Sequence, residues 1–149
     1  MLFRSAAPGN GLAIILWLLA VIWATDIGAY FAGRGIGGPK LAPRISPKKT
    51  WAGLAGGMIA AGAVGATAAI VLDWPNAPGV ILFSIGLAVI AQGGDLMESA
   101  IKRAFKVKDS GSLIPGHGGL LDRLDGLMTA APSVAAVALI GGEGVLAWR

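Results

Sequence analysis

The chain has 149 residues, of which 55% are hydrophobic and 13% charged, about half the charged fraction of a typical soluble domain. This composition is typical of a membrane protein. The absence of cysteine excludes disulfides and cysteine nucleophiles, and a single histidine argues against zinc. The net charge of +4 does not indicate a nucleic-acid partner, because the basic residues lie in two loops without an aromatic platform.

The first apolar segment, residues 11–31, is long enough to cross a bilayer as a helix. A signal peptide is the alternative interpretation of this segment. Asp26 and the apolar turn after it argue against a signal peptide, because they stand where a cleavage site of small residues is expected. A loop rich in glycine, proline and basic residues follows over residues 33–49.

Three further apolar segments follow the first loop. Residues 51–72 are rich in glycine and alanine, a composition typical of membrane helices that pack backbone to backbone. After a turn over residues 73–79, the third span covers residues 80–94, and its helix is expected to continue in polar sequence to Phe105. The last span covers residues 120–148 and should be kinked at Pro132.

Ten of the twelve basic residues fall in the two loops that a four-span arrangement places on one side of the membrane. They are Arg34, Lys40, Arg44, Lys48 and Lys49 in the first group, and Lys102, Arg103, Lys106, Lys108 and Arg123 in the second. The positive-inside rule puts that side in the cytoplasm. We therefore predict an all-α, polytopic membrane protein of one domain, residues 1–149, with about four transmembrane helices and two basic cytoplasmic loops.

Asp95, Glu98 and Lys102 are spaced so that a continuing third helix would carry all three on one face. An ordinary interfacial helix end with intrahelical ion pairs has the same spacing. Asp95 directly follows an apolar run, however, which places it close to the membrane interior. A charged group is costly in free energy at that depth in the membrane, so its presence indicates a functional role.

Asp122 and Asp125 are three residues apart, on one face if the fourth helix begins near Leu120. Their oxygens suit a hard divalent cation, although acids at a helix N-terminus also interact favourably with the helix dipole. The stretch also resembles the start of the CDP-alcohol phosphotransferase motif. That match fails, because the Ala-Arg pair due after Gly126 is absent and no further pair of aspartates follows.

The segment GSLIPGHGG, residues 111–119, is a glycine-rich turn before a predicted helix, where backbone N–H groups can approach an anion. Such a loop and its His117 are also common as purely structural features. The nearby bases, among them Lys102, Arg103 and Lys108, either contact anionic lipid headgroups or face phosphate.

The first loop contains a second polar block, in which Ser46 and Thr50 supply hydroxyls and Lys48 and Lys49 supply point charges. Pro47 stiffens the turn between them. This combination suits the binding of phosphate groups, whereas a loop that only sets topology would not need it.

Both blocks together resemble the signature of phosphatidate cytidylyltransferases, also called CDP-diacylglycerol synthases. The matching strings are DIGAYFAGR (residues 26–34), KLAPRISPKKTW (residues 40–51) and the polar stretch of residues 95–125. One departure is Ala52, where that family commonly has an acid. The chain matches roughly the C-terminal half of the family's members, so we expect it to be weak or inactive without the preceding spans.

The resemblance implies that CTP and phosphatidate react to give CDP-diacylglycerol and pyrophosphate at the cytoplasmic face of a bacterial inner membrane. It also implies Mg²⁺, with K⁺ as a further candidate. We expect a homodimer among membrane lipids, because a second copy can cover part of the polar site that four spans leave exposed. The implied metal ligands are Asp95, Asp122, Asp125 and Glu98; the implied catalytic residues are Asp95, Asp122, Asp125, Lys102, Arg103 and His117; and the implied substrate-binding residues are Ser46, Lys48, Lys49, Thr50, Lys108, Arg123 and Asp26. A noncatalytic membrane module that binds a cation or anionic lipid is the alternative.

Overall fold

A computed structural model describes residues 10–105 and 128–136. Within them, three long helices, α1 (Asn10–Gly35), α2 (Trp51–Val71) and α3 (Ala77–Ala104), are each long and apolar enough to cross a membrane. Residues 128–136 are also helical, and the rest of the fourth predicted span lies outside the described residues. The predicted helical, polytopic membrane fold is confirmed, and the kink at Pro132 stays a prediction.

Helices α1 and α2 pack against each other antiparallel and at backbone distance. A Cβ atom placed on Gly28 would lie 2.6 Å from the carbonyl oxygen of Gly56, and one placed on Gly57 would lie 3.0 Å from the carbonyl oxygen of Thr25. A side chain at Gly28 would overlap the α2 backbone, and one at Gly57 would fit only if the α1 backbone moved by a few tenths of an ångström. The glycine-rich composition of α2 therefore allows the close helix contact predicted from it.

Helix α3 packs antiparallel on another part of α2. A Cβ atom placed on Gly65 would lie 2.9 Å from Cβ of Ser84, and one placed on Gly62 would lie 3.2 Å from Cγ1 of Ile85. Near the α2–α3 turn, the Trp17 ring contacts the rings of Trp74 and Phe83, with centroids 5.9 and 6.1 Å apart. The α2–α3 turn and the α1–α2 connection therefore lie at opposite ends of the bundle.

The α1–α2 connection contains a small antiparallel hairpin of β1 (Lys40–Ala42) and β2 (Ser46–Thr50). The sequence did not predict these strands, because neither has the alternating apolar pattern of a half-buried strand. Helix α1 also continues to Gly35, past the predicted end at residue 31. Gly33 permits this extension, since it lies against Gly53 and the Thr50 hydroxyl at the start of α2.

Helix α3 begins earlier than predicted, at Ala77 instead of Val80. The side chain of Asn76 accepts a hydrogen bond from the Gly79 N–H at 3.1 Å, and this cap fixes the first turn of the helix. The helix then runs without interruption to Ala104, with Phe105 as its C-cap. The predicted polar extension of the third span is confirmed, and it places Asp95, Glu98 and Lys102 on one continuous helix.

Candidate functional site

An ion pair between the hairpin and α3 forms the centre of the candidate site. Lys49 Nζ lies 2.5 Å from Asp95 Oδ2, and it also donates a hydrogen bond to the main-chain carbonyl oxygen of Gln92 at 3.2 Å. The Lys49 side chain is 17% exposed and that of Asp95 is 40% exposed. The two polar blocks of the sequence therefore meet at one end of the bundle, in a partly buried position that still admits solvent.

The local sequence fixes the position of Lys49 through the junction of β2 and α2. Thr50 is buried and is the N-cap of α2, where its Oγ1 accepts a hydrogen bond from the Gly53 N–H at 3.0 Å. The N–H of Trp51 donates a hydrogen bond to the carbonyl oxygen of Pro39 at 3.1 Å. This bond connects the start of α2 to the residue directly before β1. These bonds hold the backbone that directly follows Lys49.

Asp26 of α1 belongs to the same neighbourhood. Its carboxyl group is close enough to Asp95 and Lys49 to interact electrostatically with both. Two acids and one ammonium group from α1, β2 and α3 thus share one region. Asp26 was predicted as a substrate-binding residue, and the structure places it beside the Lys49–Asp95 pair.

Glu98 lies one helical turn beyond Asp95 on α3. Its Oε1 is 2.8 Å from Lys102 Nζ, the intrahelical ion pair that the sequence offered as the alternative to a functional role. Its Oε2 is buried and has no hydrogen-bond partner among the described residues. A buried carboxylate oxygen without a donor is costly to keep, and it suits a hard cation that coordinates through oxygen.

The described residues contain no group of three or more histidine, cysteine, aspartate or glutamate side chains that could hold a metal by themselves. This arrangement still fits Mg²⁺, because that ion is usually bound by one or two carboxylates together with water and substrate phosphates. Asp95 and Glu98 are the predicted ligands that the structure describes.

Other predicted site residues lie on the two elements that carry this pair, β2 and α3. Ser46 begins β2 and is half-buried, Lys48 is exposed next to Lys49, and Arg103 is exposed in the last turn of α3. Thr50 is predicted to bind substrate, and its described hydrogen bond is the helix cap. The remaining predicted residues, His117, Lys108, Asp122, Arg123 and Asp125, lie outside the described residues.

Two features of the site were missed in the sequence. The carbonyl oxygen of Gln92 accepts from Lys49, a role that no side-chain pattern could indicate. Gly94 is packed against the side chain of Thr129, and a Cβ atom placed on it would lie 2.8 Å from Thr129 Cβ. The glycine pair before Asp95 was the only sequence signal of this contact, and its partner was not evident.

Comparison with known proteins gives one family and a set of bacterial relatives. The family model described as "Cytidylyltransferase family" matches residues 1–140. A phosphatidate cytidylyltransferase of Brucella suis is 54% identical over 121 residues, which are 81% of this chain and 45% of that protein. A protein of the same name from Haemophilus influenzae is 45% identical over 84% of this chain and 45% of its own length. Another, from Bacillus subtilis, is 46% identical over 82% of this chain and 46% of its own length. The chain thus spans about half the length of the curated relatives it matches.

Proposed function

Because this chain belongs to the cytidylyltransferase family, we propose that it transfers the cytidylyl group of CTP to phosphatidate in phospholipid biosynthesis. The products are CDP-diacylglycerol and pyrophosphate. The names of the relatives support this activity. The structural observation that carries it is the Lys49–Asp95 pair, which joins a basic hairpin to the polar end of α3 at one end of three apolar helices.

The proposed reaction is one displacement at phosphorus. A phosphate oxygen of phosphatidate forms a bond to the α-phosphorus of CTP, and the bond from that phosphorus to the bridging oxygen of the β-phosphate breaks. Pyrophosphate leaves with the bonding electrons. Both reactants are anions, so the protein has to offset their repulsion and stabilise the leaving group, and no protein nucleophile is needed.

The basic side chains and hydroxyls of the hairpin suit this task. Exposed Lys48 is available to a phosphate, and half-buried Ser46 lies on the same strand. On α3, exposed Arg103 adds a second positive group in the last turn. A guanidinium can bind two phosphate oxygens at once, whereas an ammonium acts as a point charge.

We propose that Asp95 and Glu98, together with Asp122 and Asp125, hold Mg²⁺, with K⁺ as a second ion. When bound, the divalent cation neutralises phosphate charge and favours departure of pyrophosphate. The contact of Thr129 with Gly94 supports a common site, because Asp125 precedes Thr129 by four residues and Gly94 directly precedes Asp95. The buried Glu98 Oε2 provides one oxygen for such an ion.

The proposal places this site at the cytoplasmic face of a bacterial inner membrane. The basic hairpin and the polar end of α3 lie at one end of the bundle, as the positive-inside rule requires of cytoplasmic segments. We also propose a homodimer, because α2 exposes Ile59, Ile70 and Val71, apolar side chains that a second copy or lipid can cover.

The test is formation of CDP-diacylglycerol and pyrophosphate from CTP and phosphatidate by purified protein in detergent. It compares the 149-residue chain alone with the same chain fused behind the N-terminal helices of a relative. We expect CTP-dependent product from the fusion and weak or no product from the chain alone. A folded fusion that binds cation or anionic lipid but forms no product would instead indicate the noncatalytic module.

A further inference from the structure

Lys49 forms an ion pair with Asp95, the acid proposed to bind the cation. Its ammonium group lies 2.5 Å from Oδ2 and is held there by a second bond to the Gln92 carbonyl oxygen. Lys48, the preceding residue, is exposed. Two adjacent lysines of one strand therefore have different environments, and only one of them is directed at the acid of α3.

We propose that Lys49 competes with the divalent cation for Asp95, so that cation binding transfers Lys49 from the carboxylate to a substrate phosphate. This inference rests on the proposed function for the cation and the substrate. It adds that the phosphate-binding hairpin and the metal site are coupled through one ammonium group.

The competition follows from distance and charge. A divalent cation such as Mg²⁺ binds a carboxylate oxygen at about 2.0–2.1 Å, and an ammonium 2.5 Å from the same oxygen would be close enough to repel it strongly. This repulsion favours movement of one of the two cations away from the carboxylate. The ammonium is the mobile partner, because it ends a flexible four-carbon side chain, whereas Asp95 lies within a continuous helix.

Movement of Lys49 does not require the hairpin to unfold. Its backbone is held by the Thr50 cap and by the bond from Trp51 to Pro39, and neither bond involves the lysine side chain. The displaced ammonium group therefore stays beside the site on the strand that carries Lys48 and Ser46. A phosphate bound there would be contacted by a second positive group only after the cation has bound the Asp95 carboxylate.

Coupling of this kind has opposite effects on cation affinity and on turnover. Without Lys49, Asp95 is free of its competitor, so the cation should bind more tightly. The substrate phosphate loses an ammonium group, so turnover should fall. A lysine that served only to support the fold would weaken both properties when removed.

The experiment measures Mn²⁺ binding by electron paramagnetic resonance on the purified full chain, for wild type, Lys49→Met, Lys49→Arg, Lys48→Met and Asp95→Asn. We expect Lys49→Met to bind Mn²⁺ about tenfold more tightly than the wild type. This effect is small for the removal of a neighbouring charge, because Asp95 is 40% exposed and solvent screens the interaction. Lys48→Met removes the same charge one residue away and should change the affinity by less than about twofold, because exposed charges are screened. Lys49→Arg keeps the charge and should stay near the wild type.

Turnover of the fusion protein provides the second readout. Lys49→Met should be slower at saturating Mg²⁺, although it binds the cation more tightly, and Lys49→Arg should recover part of the rate.

Equal effects of Lys49→Met and Lys48→Met on Mn²⁺ affinity, or weaker binding by Lys49→Met, would overturn the inference. Unchanged Mn²⁺ binding by Asp95→Asn would overturn it together with the metal assignment. If the chain shows the expected Mn²⁺ affinities but the fusion forms no CDP-diacylglycerol, the competition is supported and the proposed function is contradicted.

Discussion

Thr129 packs its side chain directly against Gly94, the residue that precedes Asp95 in α3. The contact brings the helical residues 128–136 onto α3 at the level of the candidate site. Asp125 precedes this contact by four residues in the sequence. The pair of Gly94 and Thr129 therefore links the two acidic segments that are proposed to share a cation.

Replacing Gly94 with alanine should reduce turnover by about tenfold or more, because a methyl group there overlaps Thr129 and forces the two helices apart. A misplacement of about 1 Å can cost a hundredfold in rate. Gly93→Ala is the matched control, since a Cβ atom at Gly93 meets no atom of the described residues within 4 Å. Equal activity of both variants in the fusion protein would show that this helix contact does not position the site.

The close crossing of α1 and α2 predicts a stability effect away from the site. Gly56→Ala should destabilise the protein by about 1–3 kcal/mol, because its methyl group would lie 2.7 Å from the Gly28 carbonyl oxygen and also overlap Ala32. Gly86→Ala, in α3 with no described atom near its Cβ, should be neutral or stabilising by up to about 1 kcal/mol. Thermal unfolding in detergent measures both, and a Gly56→Ala variant as stable as Gly86→Ala would contradict the packing.

Neutralising the proposed metal ligands should remove activity and leave folding intact. Asp95→Asn and Asp122→Asn are each expected to lower Mg²⁺-dependent turnover by about a hundredfold or more, because an amide binds a hard cation poorly and offsets none of its charge. Asp73→Asn is the control. Asp73 lies in the α2–α3 turn with φ of 52°, a left-handed conformation that asparagine also tolerates. Turnover near that of the wild type in either of the first two variants would show that the metal assignment is misplaced.

The two ends of the bundle should face opposite sides of the membrane. Cysteine introduced at Ser46 in the hairpin or at Ser110 should react with an impermeant thiol reagent from one side, and cysteine at Asn76 from the other. The natural chain has no cysteine, so each variant carries a single reactive thiol. Labelling of the Ser46 and Asn76 variants from the same face would show that the span count is wrong.

Much of the fold was predictable because it depends on local composition. The lengths of the apolar segments predicted the three described spans, and the glycine and alanine content of α2 indicated a close helix contact. The helix ends were less predictable. Asn76 starts α3 before Val80, and α1 runs on to Gly35, because each end depends on a specific cap or packing partner.

The two polar blocks and their candidate residues were evident from residue types and spacing alone, since phosphate and cation binding requires particular charged groups. The pairing of Lys49 with Asp95 was not, because it depends on how far the hairpin reaches over α3. The cap that Thr50 forms on α2 was not evident either, because it depends on where α2 begins, and its role in substrate binding stays a prediction.

The sequence by itself determined the membrane class, the apolar spans and the set of charged groups that the site can use. Only the tertiary structure decided which of them meet, namely Lys49 with Asp95 and Gly94 with Thr129. The physical reason is that hydrophobic length and charge are properties of a segment, whereas a contact between distant segments depends on helix packing and on the direction of each side chain.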